Sequence, residues 1–377
     1  MQKDTLRRIP GRAVLRRRFF TVLMLAVCCP ILLSGGGGGQ DRNPTPSLPE
    51  AEVPDLRTAP AAEPSPPAAE AGQPEAESRF VLIPEGIRPG EPLAVIMIPG
   101  TGEGTGGLRA VLVNGQGQRL TRAVFFDLET ESLWGTKPAS GQATGGLLLA
   151  ALLGVPSTTQ PGPAGIRVER GTELVEEIPI RIGNRDFYSE EIALDEENTT
   201  IHRTPDPEKT REAEQLWAIL NRNENHIYTT DPFVPPVSST RRTGFFGDRR
   251  IFRYSDGKSN TSIHGGIDYG VPRGTRVGAC AAGRVILARF RIVTGNSVII
   301  EHLPGVYSLY YHLDTIRVTE GSVVGAGEIL GESGSTGLAT GPHLHWEIRV
   351  AGETTDPDAF LVRPILDKEV IFSKIQR

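Results

Sequence analysis

Apolar residues in this chain recur in short runs rather than in long helical stripes. Between Phe80 and Ile182 the runs Phe80-Val81-Leu82-Ile83, Leu93-Ala94-Val95-Ile96-Met97-Ile98, Ala110-Val111-Leu112-Val113, Ala123-Val124-Phe125-Phe126, Ile166-Arg167-Val168-Glu169 and Ile178-Pro179-Ile180-Arg181-Ile182 stand between turn residues. Arg88-Pro89-Gly90, Asn114-Gly115 and Gln160-Pro161-Gly162-Pro163 are three of those turns. The pattern predicts about seven strands in roughly 100 residues, an immunoglobulin-like sandwich. Leu147 to Leu153 is almost unbroken apolar sequence, which fits a strand or a helix. One helical stripe follows. From Glu208 to Asn221, the residues Ala213, Leu216, Trp217 and Leu220 share a face, Asp206 can cap the helix and Pro207 suits its first position. Further on, Leu344-His345-Trp346-Glu347-Ile348-Arg349-Val350 alternates as a half-buried strand should. The expected fold is mainly β: an N-terminal immunoglobulin-like β-sandwich, a short helical connector and a C-terminal antiparallel β domain.

The first 78 residues follow neither pattern. A basic stretch ends at Arg18, an apolar run spans Phe19 to Leu33 with Pro30 inside it, and Gly35 to Gly39 follow. That layout predicts an export signal or a membrane anchor over residues 1–33. A spanning helix needs about 20 apolar residues, more than this run supplies. Arg16-Arg17-Arg18-Phe19-Phe20 resembles the core of a twin-arginine signal, and Leu25-Ala26-Val27-Cys28 a relaxed lipobox, so lipidation at Cys28 or Cys29 is an open alternative. Residues 34–78 hold nine prolines, eight acids and two bases, a composition that cannot offset its ordering entropy and predicts a disordered linker. The remaining expected units are the β domain at 79–185, the helical connector at 186–235, a C-terminal domain at 236–366 and a tail at 367–377. On this reading the first module and linker only tether and position the C-terminal domain, which acts on soluble substrate unaided.

Charge narrows the function. The net charge is −5, yet residues 1–18 alone carry +6 and leave −11 for the rest. An acidic body argues against a nucleic-acid binder. Gly 44 and Pro 30 of 377 residues stay below the low-complexity range. If the signal is removed past Cys29, Cys280 remains alone and no internal disulfide can form; it is expected to be a small buried hydrophobe.

Five of the seven histidines lie between residues 264 and 345. His264 and Asp268 flank Gly265-Gly266-Ile267, and His343 and His345 flank Leu344. In extended chain the side-chain period is two, so each pair faces one way. Two neighbouring strands could bring His264, Asp268 and one of the last pair to a single point. Two imidazoles and a carboxylate form a catalytic zinc set with the fourth position open. Zinc there lowers the pKa of water to about 7, and the remaining histidines can move protons.

The segment from about Thr243 to Pro357 resembles the M23 (LytM or lysostaphin-type) peptidoglycan metallopeptidases. The resemblance runs through Phe246-Gly247-x-Arg249-Arg250, His264-Gly265-Gly266-Ile267-Asp268-Tyr269, Arg273-Gly274-Thr275-x-Val277, Tyr310-x-His312-Leu313 and Gly341-Pro342-His343-Leu344-His345-Trp346-Glu347, and ends at Asp356-Pro357. It implies one zinc per chain on His264, Asp268 and His345, with His312 and His343 as catalytic histidines whose division of labour stays open. It implies a secreted, periplasmic or envelope-bound endopeptidase that cuts peptide cross-links of peptidoglycan, D-alanyl–diamino-acid bonds being favoured, by a zinc-activated water. The alternative is a non-catalytic LytM-type activator of cell-wall amidases; a third reading makes the β module a wall anchor. His302, at a strand end outside the motifs, is assigned no role, so that its replacement by alanine is expected to leave rate and zinc nearly unchanged, and His202 and His226, ahead of the domain, are expected to be solvated.

Overall fold

The run Leu148–Gly154 is a strand with every residue buried, and its two faces belong to different cores. Leu149, Ala151 and Leu153 pack with Leu93, Val95, Met97, Leu112, Ile166 and Val168 inside a β-sandwich. Leu148, Ala150 and Leu152 instead join a core with Ile348, Val350, Leu366 and Ile371 of the C-terminal domain. Unbroken apolar sequence is what a strand buried on both sides requires, and this removes the helix alternative.

The computed structural model describes residues 78–100, 105–128, 148–222 and 224–375. The expected signal or anchor, Cys28 and Cys29, and all but the last residue of the expected linker lie outside the described residues. Among the described residues no helix is long and apolar enough to cross a membrane.

The sandwich pairs two four-stranded sheets. One has the order Arg79–Ile83, Pro92–Ile98, Leu148–Gly154, Phe126–Leu128; the other has Arg119–Val124, Leu108–Asn114, Gly162–Arg170, Glu173–Ile182. The first sheet is covered by its partner on one side and by the C-terminal domain on the other. Backbone meets backbone at that junction. A Cβ on Gly154 would lie 3.0 Å from the Val350 carbonyl oxygen and 2.9 Å from Thr355 Oγ1. The Asp356 N–H donates to the Gly90 carbonyl at 2.8 Å, and Arg249 Nη2 donates to the Ser157 carbonyl at 2.7 Å. Residues expected as a loose tail form the helix Lys368–Ile375, with Ile371 buried in this same core. The core of the C-terminal domain is thus continued by one sheet of the sandwich.

The connector is not only helical. Asp195 caps the helix Glu196–Arg203, and Asp206 caps Pro207–Leu220 by accepting from the Glu208 N–H at 2.8 Å. Before them the strand Ser189–Ala193 runs parallel to Arg249–Arg253, which pairs in turn with Ser259–Ile263. The face of Pro207–Leu220 also differs from the expected stripe. Ile219 is buried beside Ala213 and Leu220, while Trp217 is 37% exposed. The packing surface decides this: Leu216, Ile219 and Leu220 sit on Leu287, Ile299, Tyr307, Leu309 and Tyr311 of the large sheet.

That sheet has ten strands, with the path Arg242–Gly244, Gly266–Tyr269, Leu344–Val350, Val306–Ile316, Gly295–Leu303, Gly283–Arg291, Val323–Val324. Period-two alternation divides its central strands. Leu344, Trp346, Ile348 and Val350 face the main core, with Val306 and Tyr310 beside them. His345, Glu347 and Arg349 face the other way, toward the side that carries Tyr311 and the connector helix.

Candidate metal centre

The antiparallel register sets Asp268 directly across from His345, with Ile267 opposite Trp346 and Gly266 opposite Glu347. Close approach of the two backbones there requires a residue without a Cβ at 266; a Cβ would run into the Trp346 carbonyl oxygen. His264 lies outside the strands, in the turn between Ser259–Ile263 and Gly266–Tyr269. Its direction comes from hydrogen bonds rather than from strand periodicity. Its backbone N–H donates to the Asp248 carbonyl at 2.9 Å, and its Nδ1 to the Phe245 carbonyl at 2.7 Å.

Three donor atoms then converge. His264 Nε2 is 3.1 Å from Asp268 Oδ1 and 3.0 Å from His345 Nδ1, and His345 Nδ1 is 2.9 Å from Asp268 Oδ1. All three residues are buried. A tetrahedral ion bound at about 2.05 Å spaces its donors about 3.3 Å apart, so small adjustments seat zinc here. Each donor's other polar atom is already held: His264 Nδ1 by the Phe245 carbonyl, His345 Nε2 by Glu347 Oε2 at 3.3 Å, and Asp268 Oδ2 by Arg250 Nη2 at 2.6 Å. Such outer partners orient metal-binding side chains and select their tautomers. The pocket favours positive charge. Burial lowers the pKa of His345, but Asp268 and Glu347 outweigh it and carry the imidazole up to about 9. The residues present fit a divalent ion of zinc's preferences.

His312 and His343 border this cluster. Their ring centroids are 4.7 Å apart, and His343 Nε2 is 3.8 Å from Asp268 Oδ1. His312 Nδ1 lies 2.7 Å from the Thr336 carbonyl and His343 Nδ1 2.8 Å from the Gly341 carbonyl. A carbonyl can only accept, so Nδ1 carries the proton and Nε2 is the basic nitrogen on both rings. Burial, and then the nearby His343, hold His312 down to about 3; burial also lowers His343. His312 has φ +60°, a left-handed conformation that non-glycine residues rarely adopt. It follows Tyr311, the last residue in register with Leu344–Val350. The strained residue breaks the alternation, and His312 meets His343 instead of entering the core.

The sequence-predicted residues His264, Asp268, His345, His312 and His343 are thus all brought together. The outer partners Arg250, Glu347 and Glu190 were not singled out for a role. Glu347 had a signal in the alternation, two residues from His345 on the same face, and Arg250 stood in the motif Phe246-Gly247-x-Arg249-Arg250; Glu190 had none.

The other histidines lie outside this cluster, and His226 is exposed as expected. His302 is fully buried, with Nε2 2.7 Å from Ser308 Oγ, Nδ1 2.8 Å from the Ala282 carbonyl and the Phe233 ring against it. Burial pushes it down to about 4. The hydroxyl of Ser308 continues to Tyr310 Oη at 3.0 Å, which accepts from the Cys280 N–H at 2.7 Å. Cys280 is buried as expected, its thiol pushed up to about 12 by burial. His302→Ala should therefore lower the free energy of unfolding, read from urea denaturation, by roughly 2–4 kcal/mol, a cavity plus orphaned polar groups, while the folded fraction binds zinc as wild type does. A variant as stable as wild type would contradict this. His202 is not solvated either; its Nδ1 is 2.9 Å from Tyr254 Oη and its ring stacks near Phe252.

Comparison with known proteins agrees with this geometry. Residues 262–357 match the model of peptidase family M23. DD-carboxypeptidase/endopeptidase Mpg of Neisseria meningitidis serogroup B is 40% identical over 124 residues, 33% of this chain and 28% of that protein. Peptidoglycan DD-endopeptidase ShyA of Vibrio cholerae is 36% identical over 132 residues, 35% of this chain and 30% of that protein. Murein hydrolase activator EnvC of Escherichia coli is 32% identical over 167 residues, 41% of this chain and 40% of that protein. The chain thus spans less than a third of the length of the first two relatives.

Proposed function

We propose, from the premise that residues 262–357 form a domain of peptidase family M23, that this chain is an exported zinc endopeptidase acting on the peptide cross-links of peptidoglycan. One observation carries the reading: the donor atoms of His264, Asp268 and His345 converge within 3.1 Å of one another beside two imidazoles with free Nε2 atoms. Zinc held by those three residues would polarise the scissile carbonyl and lower the pKa of water to about 7. His312 and His343 supply the rest. With Nδ1 anchored on a carbonyl, the Nε2 of one of them would take the proton of the attacking water; the imidazolium so formed would steady the developing oxyanion beside its neighbour and return that same proton to the leaving amine. Tyr311, its ring parallel to His345 at 5.3 Å, keeps that donor from rotating. Residues 1–33 would direct export to the envelope, with release, lipidation or anchoring as the possible ends.

The D-alanyl–diamino-acid bond is the favoured target, in keeping with the names of the Neisseria and Vibrio relatives. The amidase-activator reading draws on the Escherichia relative, but an activator has no use for a full donor set with two catalytic imidazoles. Mass spectrometry of muropeptides from purified walls tests the proposal. Cross-linked dimers should fall and monomers rise by hydrolysis of the stem-peptide bond. Walls left intact by zinc-loaded chain, with stimulation of an added amidase instead, would overturn it in favour of the activator.

A further inference from the structure

One charged relay reaches the donor set from outside the matched segment 262–357. Arg250 lies on the strand Arg249–Arg253, with its side chain 14% exposed. Its Nη2 donates to Asp268 Oδ2 at 2.6 Å and its Nε to Glu190 Oε1 at 2.7 Å. Glu190 belongs to the connector strand Ser189–Ala193, where the parallel register places it beside Arg250. Gly244 leaves the space that this relay occupies. A Cβ there would collide with Arg250 Nη2 and lie 2.7 Å from Asp268 Oδ2.

We propose that Glu190 and Arg250 are positioning residues for the metal donor Asp268, so that docking of the connector strand sets the metal affinity of a domain 70 residues further along the chain. A carboxylate can offer a metal one oxygen or both. The guanidinium takes the lone pairs of Oδ2 and leaves Oδ1 as the donor, already facing His264 Nε2 at 3.1 Å and His345 Nδ1 at 2.9 Å. Glu190 holds the guanidinium from behind and offsets its charge, which would otherwise repel a divalent cation. Glu347 and Arg349 repeat this pairing on the His345 side. A strand that pairs through its backbone could carry any polar residue at 190 without loss to the sheet; the carboxylate matters for what it does to Asp268.

The inference rests on the proposed zinc site, and its test needs no substrate. Full-length wild type, Glu190→Gln, Arg250→Ala, Arg250→Lys and Gly244→Ala compete for zinc with a chromophoric chelator, and the thermal midpoint of each is recorded without metal. Glu190→Gln and Arg250→Ala should weaken zinc binding by roughly 10–100-fold, with metal-free midpoints close to wild type. Arg250→Lys should recover part of the loss, because an ammonium can hold Oδ2 but cannot fork to Glu190. Gly244→Ala should resemble Arg250→Ala. If Arg250→Ala fails to fold, Glu190→Gln and Arg250→Lys carry the comparison. Affinities within twofold of wild type, or losses that merely track the metal-free midpoint, would overturn the relay and leave the zinc site standing. A wild-type chain without zinc affinity would overturn both.

Discussion

Asp268→Ala should empty the proposed zinc site and abolish the proposed hydrolysis of cross-linked muropeptides in the same preparation. Asp268 Oδ1 touches both imidazole donors and its Oδ2 holds Arg250. The substitution removes one of three protein donors and leaves a buried guanidinium facing the two that remain. Metal analysis of chain purified without chelators should give about one zinc per wild-type molecule and a small fraction of that for the variant. Circular dichroism should show both to be folded. Wild type without zinc, or a variant with its full complement, would refute the assignment of these donors.

His312→Ala separates donor from catalyst. Its ring is 4.7 Å from His343 and 6.4 Å from His345, and its side chain is held by the hydrogen bond from Nδ1 to the Thr336 carbonyl. Loss of this side chain should leave zinc content unchanged and lower kcat by roughly 10²–10⁴-fold, the worth of a general acid or base. Alanine at this position keeps the φ +60° backbone, so the strain remains and the variant should lose the stability that a cavity of that size implies. Zinc loss equal to that of His345→Ala would show that the roles of the two residues had been exchanged.

Much of this site was legible in the chain because strand alternation is a strict rule. The spacing of His343 and His345 around Leu344 placed a donor on the face opposite the core, and the observed pairing of Asp268 with His345 follows from two such strands meeting. Other features were beyond a local reading. His264 points by virtue of the Phe245 carbonyl, a contact that folding creates. His312 depends on a single left-handed residue. Arg250 and Glu190 are joined by a parallel pairing across sixty residues, which no periodicity announces. Leu148–Gly154 was ambiguous for the opposite reason: burial on both sides erased the alternation that distinguishes strands.

The strand that erases its own pattern also limits how this protein can be recombined. A module joined by a linker can be cut at the linker and carried to another partner. Here Leu148, Ala150 and Leu152 are as much a part of the C-terminal domain's interior as Ile348 and Val350. A chimera that grafts residues 233–377 onto a foreign wall-targeting domain would expose that face to water, along with the Leu287, Ile299 and Leu309 surface that the connector helix covers. Transplants of the C-terminal domain should be made from residue 78 onward, with the sandwich treated as part of its hydrophobic interior rather than as a detachable address.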